Sequence, residues 1–410
     1  MDDKSLRGLL NGALTGEPPI GRVAQNSLEA GMRLRRRRRA WTAGCAAVAA
    51  VAVIIIPAGT RVLGHFPGPA GGQRSGTVYV ASQSERNLIG RITPINTATN
   101  RAEGAIWVGV SPESLAVTPG GKTVYVANVS SRTVTPISTA TDTPGKPIKV
   151  SVGPELIAIT PDGKTAYVAN LSSRSVIPIS TATDTPGKPI RVGLGPDFIA
   201  FTPNGKTAYV ASYNSGTVTP INTATNVAGK PIRVGARPEF IATTGQTAYV
   251  SSASTVTPIS TVTNRPGKPI YVGGQPGFIA ITPDGKTAYV TIESDPLLPP
   301  GVVIPISTAT NTPGQPIHVG SAAGRIAITP DGKTAYVAGA LTVTPISTAT
   351  NRAGKPIFIG SDITIAITPD GKTVYAATPG KVIPISTATK TPGKPIQVAP
   401  GAPGGIAITP

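Results

Sequence analysis

The chain has 410 residues, a formal charge of +18 at pH 7, only 4% aromatic side chains and a single cysteine. That length is ample for a hydrophobic core, and one cysteine excludes an intramolecular disulfide. The two histidines, His65 and His318, belong to no cluster with metal-ligand spacing, and no phosphate-binding or nucleophile motif occurs. We therefore expect no metal site and no cofactor, and we favour a protein that is not an enzyme.

Residues 1–40 form a basic tail that ends in Arg33 and the run Arg35–Arg39. Such a run is typical of nucleic-acid binding or of the cytoplasmic flank of a membrane span. The stretch 41–60 follows without a charge and has about the ~20 residues that cross a bilayer. We predict a transmembrane signal-anchor helix over 41–60, a cytoplasmic N-terminus, no nucleic-acid partner and an extracellular remainder.

A cleaved signal peptide is the alternative to an uncleaved anchor. Its basic n-region would be unusually long, so we favour the anchor. Residues 61–76 are rich in Gly and Pro and form a linker. A single-pass membrane protein with its main domain after residue 76 is the resulting prediction.

One pattern recurs every 39 to 47 residues from Thr77 to Pro410. Each repeat contains four short runs, which we name A (IAIT), B (YVA), C (VTPIS) and D (PIxVG). They are rich in Val, Ile, Thr and Tyr, which favours strands. Asp162-Gly163 between A and B indicates a two-residue hairpin, and Pro186-Gly187 marks the turn before D. Four antiparallel strands at this period are typical of a β-propeller blade.

The number of runs predicts how the ring closes. Runs B, C and D each occur eight times starting at Thr77, whereas the last run A, Ile406–Pro410, stands alone at the end of the chain. Pairing this run with the first B run completes an eighth blade and leaves no exposed edge. We predict an all-β fold with eight blades over residues 77–410; seven blades with one irregular unit is the alternative. The proline within run C cannot donate to a ladder and should lie at a bulge or a non-bonded position.

The segments TPDGKTAYVAN and YVTI (residues 289–292) resemble the YVTN-family β-propeller repeat of surface-layer-type and other exported proteins. The resemblance covers roughly residues 77–410. It implies an extracytoplasmic propeller, often a binding scaffold, and it carries no catalytic residues to this chain. Members with this repeat differ in function, so the resemblance concerns fold more than activity.

Four carboxylates recur in the link between runs D and A of successive repeats: Glu113, Glu155, Asp197 and Glu239. Run A is the innermost strand of a propeller blade, so this link should lie at one mouth of the central channel. Neighbouring carboxylates recruit a cation or a basic ligand. Solvated turn residues retained by repeat duplication are the alternative.

Lysines recur in the turns at the other end of the blades. The A–B turns carry Lys122, Lys164, Lys206, Lys286, Lys333 and Lys372, and the C–D turns carry Lys146, Lys188, Lys230, Lys268, Lys355 and Lys394. In an antiparallel blade both turns lie on one side. We predict that this side contacts anionic lipid headgroups or wall polymers; ordinary solubility is the alternative.

Three functions fit these patterns. The first is a membrane-anchored, cell-surface propeller that acts as a non-catalytic binding or scaffolding module for an envelope protein or polymer. The second is an exported enzyme, a lyase or hydrolase, with its site at the channel mouth. The third is a one-span sensor. The long B–C links, residues 83–91 and 293–301, are further candidate binding loops.

Overall fold

A computed structural model describes residues 76–83, 89–293, 300–320 and 322–410. The predicted tail, the predicted transmembrane segment, the linker up to residue 75 and most of the two long B–C links lie outside the described residues. In the described part of the chain, no helix is long and apolar enough to span a membrane.

The described residues form eight antiparallel sheets, one for each predicted blade. Blade 1 contains β1 (Thr77–Gln83), β2 (Ile89–Asn96), β3 (Arg101–Ala102) and β4 (Ile106–Val110). Blade 2 contains β5 (Pro112–Val117), β6 (Thr123–Asn128), β7 (Thr133–Ser138), β8 (Thr143–Pro144) and β9 (Ile148–Lys149). Blade 3 contains β10 (Pro154–Ile159), β11 (Thr165–Asn170), β12 (Ser175–Ser180), β13 (Thr185–Pro186) and β14 (Ile190–Arg191). Blade 4 contains β15 (Pro196–Phe201), β16 (Thr207–Ser212), β17 (Thr217–Asn222), β18 (Val227–Ala228) and β19 (Ile232–Arg233).

The second half of the ring repeats this plan. Blade 5 contains β20 (Ile241–Thr243), β21 (Thr247–Ser251), β22 (Thr255–Ser260) and β23 (Ile270–Tyr271). Blade 6 contains β24 (Gln275–Ile281), β25 (Thr287–Glu293), β26 (Gly301–Ser307), β27 (Thr312–Pro313) and β28 (Ile317–Val319). Blade 7 contains β29 (Ile326–Ile328), β30 (Thr334–Ala338), β31 (Thr342–Ser347), β32 (Arg352–Ala353) and β33 (Ile357–Phe358). Blade 8 contains β34 (Thr364–Ile367), β35 (Thr373–Thr378), β36 (Lys381–Ser386) and β37 (Ile396–Gln397), and the chain returns to blade 1 as β38 (Pro403–Ile408).

The ring closes where the last strand pairs with the first. Strand β38 lies antiparallel to β1, with Val78 opposite Ile408 and Val80 opposite Ile406. The Thr409 amide donates to the Thr77 carbonyl at 2.9 Å. Each run A contacts the run A of the next blade, and β38 contacts both β34 and β5, so the inner strands form a closed circle. The predicted eight-bladed all-β propeller is confirmed and the seven-bladed alternative is wrong. Every strand of the ring lies within residues 76–410, so this segment contains a complete fold.

The core lies between the blades and is built from the alternation of run B. Tyr167 and Ala169 pack towards blade 4, whereas Ala166 and Val168 pack towards blade 2. Successive side chains of a strand point to opposite faces, so one strand fills two interblade layers. Val, Ile and Ala supply most of this core, and one fully buried tyrosine per blade supplies its largest side chain. This core of small aliphatic side chains accounts for the low aromatic content of the sequence.

The predicted turn between runs C and D contains a short strand that the sequence did not predict. In blade 3, both β13 and β14 pair with β12, and the chain between them leaves the ladder. The only bond across this gap that involves Pro178 runs from the Gly187 amide to the Pro178 carbonyl, at 2.7 Å. The carbonyl and the missing N–H of Pro178 face the same side of an antiparallel strand. The proline therefore faces the gap, where no donor is needed, and the predicted non-bonded position is confirmed.

The A–B turn also differs from the predicted two-residue hairpin. Strand β10 ends at Ile159 and β11 begins at Thr165, and only Gly163 in this connection has a positive φ, 72°. The Thr160 hydroxyl donates to Asp162 at 2.6 Å, and the Gly163 amide donates to the Thr160 carbonyl at 2.8 Å. The Asp-Gly pair is thus part of a longer turn that the threonine side chain organises.

Candidate functional site

The four predicted carboxylates occupy one position, the start of the innermost strand in blades 2 to 5. The pairing of β10 with β11 passes from Pro154 opposite Asn170 to Leu156 opposite Ala169, which leaves Glu155 as the extra residue of a β-bulge. The same shift makes bulge residues of the equivalent carboxylates in β5 and β15, Glu113 and Asp197. Bulges commonly re-aim a side chain near functional sites.

Glu239 reaches the equivalent place by a different local route. It lies just before β20, and its amide donates to the Ser251 carbonyl at 3.0 Å. Like the three bulge residues, it is half-buried. The four carboxylates therefore lie at the starts of the inner strands of four successive blades. We call Glu113, Glu155, Asp197 and Glu239 the acidic arc.

Close packing against backbone atoms disfavours a carboxylate at the equivalent position of blades 1 and 7. In blade 1 the equivalent residue is Gly404, and a Cβ there would lie 2.1 Å from the carbonyl oxygen of Pro112. In blade 7 it is Gly324, where a Cβ would lie 3.0 Å from the Ala338 carbonyl oxygen. Any larger side chain at these positions would require the backbone to shift. In blade 8 the place belongs to buried Ile363, while Asp362 is exposed one residue earlier.

The arc does not form a metal-binding cluster. Among the described residues, no three His, Cys, Asp or Glu side chains come close enough together to hold one metal ion. Carboxylates that are spread over successive blades instead offer several separate acceptors along a curve.

Aromatic packing supports one end of the arc. The residues that follow Asp197 and Glu239, Phe198 and Phe240, are buried and lie edge-to-face with ring centroids 5.5 Å apart. Phe240 also lies 4.0 Å from Phe278 of blade 6, at an interplanar angle of 31°. Such contacts between large rings stabilise the start of the inner strands. These ring contacts therefore help to hold the backbone at Asp197 and Glu239 in place.

Arg325 is a residue of this mouth that the sequence analysis missed. It follows Gly324 in blade 7, takes the place that Phe198 and Phe240 have in their blades, and is only 4% exposed. An arginine is rarely this buried. The sequence does contain a sign of this residue, because a single arginine precedes an otherwise unchanged IAIT run. A description of the shared repeat pattern does not show such a single difference.

The turn lysines lie together at the other end of the blades. The Thr181 hydroxyl donates to the Gly163 carbonyl at 2.5 Å, and its amide donates to the Lys164 carbonyl at 3.0 Å, so the C–D turn is bonded to the A–B turn. The equivalent threonine makes the hydroxyl bond in all eight blades. All twelve predicted lysines are exposed on this side. We call it the lysine face.

Only part of this positive charge is compensated locally. Four of the lysines lie 3.6–4.0 Å from a turn aspartate, in the pairs Lys164–Asp162, Lys286–Asp284, Lys333–Asp331 and Lys372–Asp370. Hydrogen bonds from the Thr282 hydroxyl and the Lys286 amide lower the pKa of Asp284. The other eight turn lysines have no ion pair with a described residue.

Comparison with known proteins identifies the fold alone. No protein-family profile and no curated protein sequence matches the chain. Among solved structures, hydrazine synthase of Kuenenia stuttgartiensis is 22% identical with a TM-score of 0.55, over 71% of this chain and 97% of that one. The dihydro-heme d1 dehydrogenase NirN is 14% identical with a TM-score of 0.68, over 80% of this chain and 74% of that one. Apo AztD from Citrobacter koseri is 13% identical with a TM-score of 0.63, over 82% of this chain and 97% of that one. These proteins differ in function, so the likeness shows a propeller and carries none of their activities to this chain.

Proposed function

We propose that the protein is a membrane-anchored, cell-surface β-propeller that binds an extended basic ligand at its acidic arc and does not catalyse a reaction. The observation that carries the proposal is the recurrence of a half-buried carboxylate at one bulge position in successive blades. Partly buried acceptors on a rigid scaffold hold a cationic group more strongly than exposed ones do. The proposed ligand is a peptide or polymer that carries several amino groups.

Anchorage rests on the sequence before the propeller. A charge-free stretch of bilayer length follows an arginine run, which is the arrangement that keeps the N-terminus inside. A C-terminal tag on the full chain should be reached by a membrane-impermeant label in intact cells, and detergent should be needed to extract the protein. A tag that is labelled only after lysis would refute the surface location.

Binding at the arc is tested with the full chain in detergent. The arc variant carries Glu113→Gln, Glu155→Gln, Asp197→Asn and Glu239→Gln. The matched control carries the substitutions Asp162→Asn, Asp284→Asn, Asp331→Asn and Asp370→Asn, which change the net charge equally but lie on the lysine face.

The probes are an oligolysine peptide and the host's envelope extract, each passed over the immobilised protein. Each charge-assisted contact contributes about 1.5–3 kcal/mol. The arc variant should therefore lose at least about 10-fold in affinity for the retained basic molecule, while the control keeps it. Equal affinity of the parent and the arc variant would refute the proposed site.

A further inference from the structure

The lysine face is a regular array because of the fold. In each blade a threonine bonds the C–D turn to the A–B turn, so both turns end at the same level. The inner turns therefore present one circle of lysines and the outer turns a second circle. Two concentric circles of exposed cations on one side of a ring suit a wide anionic surface.

Two carboxylates on this face also accept interblade hydrogen bonds. Asp142 and Asp184, in the C–D turns of blades 2 and 3, accept hydrogen bonds from the Tyr79 and Tyr125 hydroxyls of the preceding blades at 2.6 and 2.5 Å. In the A–B turns of blades 2 and 4, the place of the paired aspartate belongs to Gly120 and Asn204. The twelve turn lysines outnumber the six turn aspartates, Asp142, Asp162, Asp184, Asp284, Asp331 and Asp370, so the face keeps an excess of positive charge.

Two exposed apolar side chains lie between the third and fourth runs of blades 4 and 5. Val227, at the start of β18, is 62% exposed, and Val262, in the C–D turn of blade 5, is 80% exposed. Exposed valines among lysines are unfavourable in water but favourable in the headgroup region of a bilayer, where apolar groups insert beside basic ones.

The chain enters the propeller on this face. The carbonyl of Gly76 accepts the amide and the hydroxyl of Thr97 at 3.0 and 2.6 Å, and Thr97 begins the C–D turn of blade 1. Only residues 61–76 separate this point from the predicted membrane span. A linker of that length and composition spans roughly 20–25 Å on average. A tethered propeller is thus held close to the bilayer with this face towards it.

We infer that the lysine face docks on the anionic lipid headgroups of the membrane that anchors the chain; this rests on the anchorage of the proposed function. Docking fixes the orientation of the ring, because the acidic arc lies at the opposite ends of the inner strands and then faces away from the membrane. The acidic arc is then accessible from outside the cell, and the positive lysine face and the negative arc lie on opposite sides of the ring.

The test uses residues 76–410, which contain the complete ring, and vesicles of phosphatidylcholine with or without about one third phosphatidylglycerol, an anionic fraction that attracts basic residues. The turn variant carries Lys122→Gln, Lys188→Gln, Lys206→Gln and Lys268→Gln, none of them in an ion pair with a described residue. The matched control carries Lys149→Gln, Arg174→Gln, Arg191→Gln and Arg233→Gln, all exposed on the outer strands or on the opposite side. Circular dichroism checks that both variants remain folded.

The parent should sediment with anionic vesicles only, and its partition coefficient should fall steeply with salt. Each lysine near such a surface contributes about fivefold, so the turn variant should lose roughly 100-fold or more and the control much less. Equal losses in both variants, equal binding to neutral vesicles, or binding to soluble polyphosphate without binding to vesicles would each overturn the inference. The vesicle test uses a segment without residues 1–75, so its outcome does not depend on anchorage. A segment that does not bind vesicles leaves the labelling result for the full chain unaffected. A full chain that is not anchored leaves the vesicle-binding result unaffected.

Discussion

The hydroxyl of Tyr375 donates to Asn100 Oδ1 at 2.6 Å and so joins blade 8 to blade 1 across 275 residues of sequence. The run-B tyrosines of blades 1 to 6 make the same bond to the C–D turn of the next blade, in the pairs Tyr79–Asp142, Tyr125–Asp184, Tyr167–Asn226, Tyr209–Asn264, Tyr249–Asn311 and Tyr289–Asn351. The acceptor residues have φ between 52° and 57°, which Asn and Asp tolerate best after Gly. A set of interblade bonds thus surrounds the ring.

The interblade bond is missing between blades 7 and 8, and the tyrosine at this place provides a control for the first prediction. In blade 8 the acceptor position holds Lys390, and the Tyr336 hydroxyl of blade 7 is buried with no hydrogen-bond partner. Tyr375→Phe removes this bond and leaves Asn100 Oδ1 to water, because Asn100 is exposed, so it should lower the free energy of unfolding by about 0.5–1.5 kcal/mol. Tyr336→Phe removes only an unsatisfied hydroxyl and should be neutral or stabilising. Urea unfolding of residues 76–410 measures both; equal effects would contradict the proposed role of the bond.

The second prediction repairs the missing bond. Lys390 has a φ of 57°, which costs a lysine roughly 1–2 kcal/mol. Lys390→Asn should relieve part of this strain and offer an acceptor to Tyr336, which raises the free energy of unfolding by about 1–2 kcal/mol. In a Tyr336→Phe background only the backbone part of the gain should remain. A double-mutant cycle with no coupling between the two positions would contradict the repair.

The fold could be predicted because its determinants are local and repeated. Alternating apolar residues define each strand, turn residues separate them, and the lone C-terminal run A requires a partner that only β1 provides. The short strand before run D, β13 in blade 3, was not predicted, because the segment TPGKP was interpreted as a turn. The Gly187 amide just after β13 donates to the Pro178 carbonyl of β12 and so holds this segment beside the ladder.

The position of the four arc carboxylates within the repeat was readable from the sequence, whereas the limits of the arc were not; its role as a ligand site stays a prediction. The gap at Gly404 results from the approach of Pro112, nearly 300 residues away, and such contacts leave no local pattern. The tyrosine bonds were missed for the same reason. Tyr375 looked like a strand marker, and its partner Asn100 looked like an ordinary turn residue.

The third prediction concerns alkaline pH. Burial, together with nearby aspartates in several blades, raises the pKa of Tyr167, Tyr209, Tyr289 and Tyr375 to about 12 from the ordinary value of 10.0. Between these values the unfolded tyrosines release protons that the folded ones retain, so the free energy of unfolding falls as pH rises. Below pH 10 this contribution to stability is fully present.

Urea unfolding in steps from below pH 10 to pH 12 measures this dependence, and near-ultraviolet absorbance follows tyrosinate formation. The tyrosinate signal of the interblade tyrosines should appear together with unfolding and not before it. Tyr375→Phe should make the decline less steep, because one proton fewer is released on unfolding. A stability that stays constant up to pH 12 would contradict the burial of these hydroxyls.

The last prediction tests closure of the ring. Deleting residues 403–410 removes β38, exposes the inner edge of β1 and uncovers Val78 and Val80. An open edge beside exposed apolar surface favours aggregation. The loss should exceed the ~5 kcal/mol that single substitutions rarely reach, and cooperative thermal unfolding should disappear. Deleting residues 1–75 instead should leave the melting transition in place.

A peptide of residues 402–410 should restore the transition by strand addition, whereas the same peptide with Ile406→Asp and Ile408→Asp should not, because both isoleucines are buried between blades. An unchanged melting curve after the deletion would show that the ring does not depend on this strand.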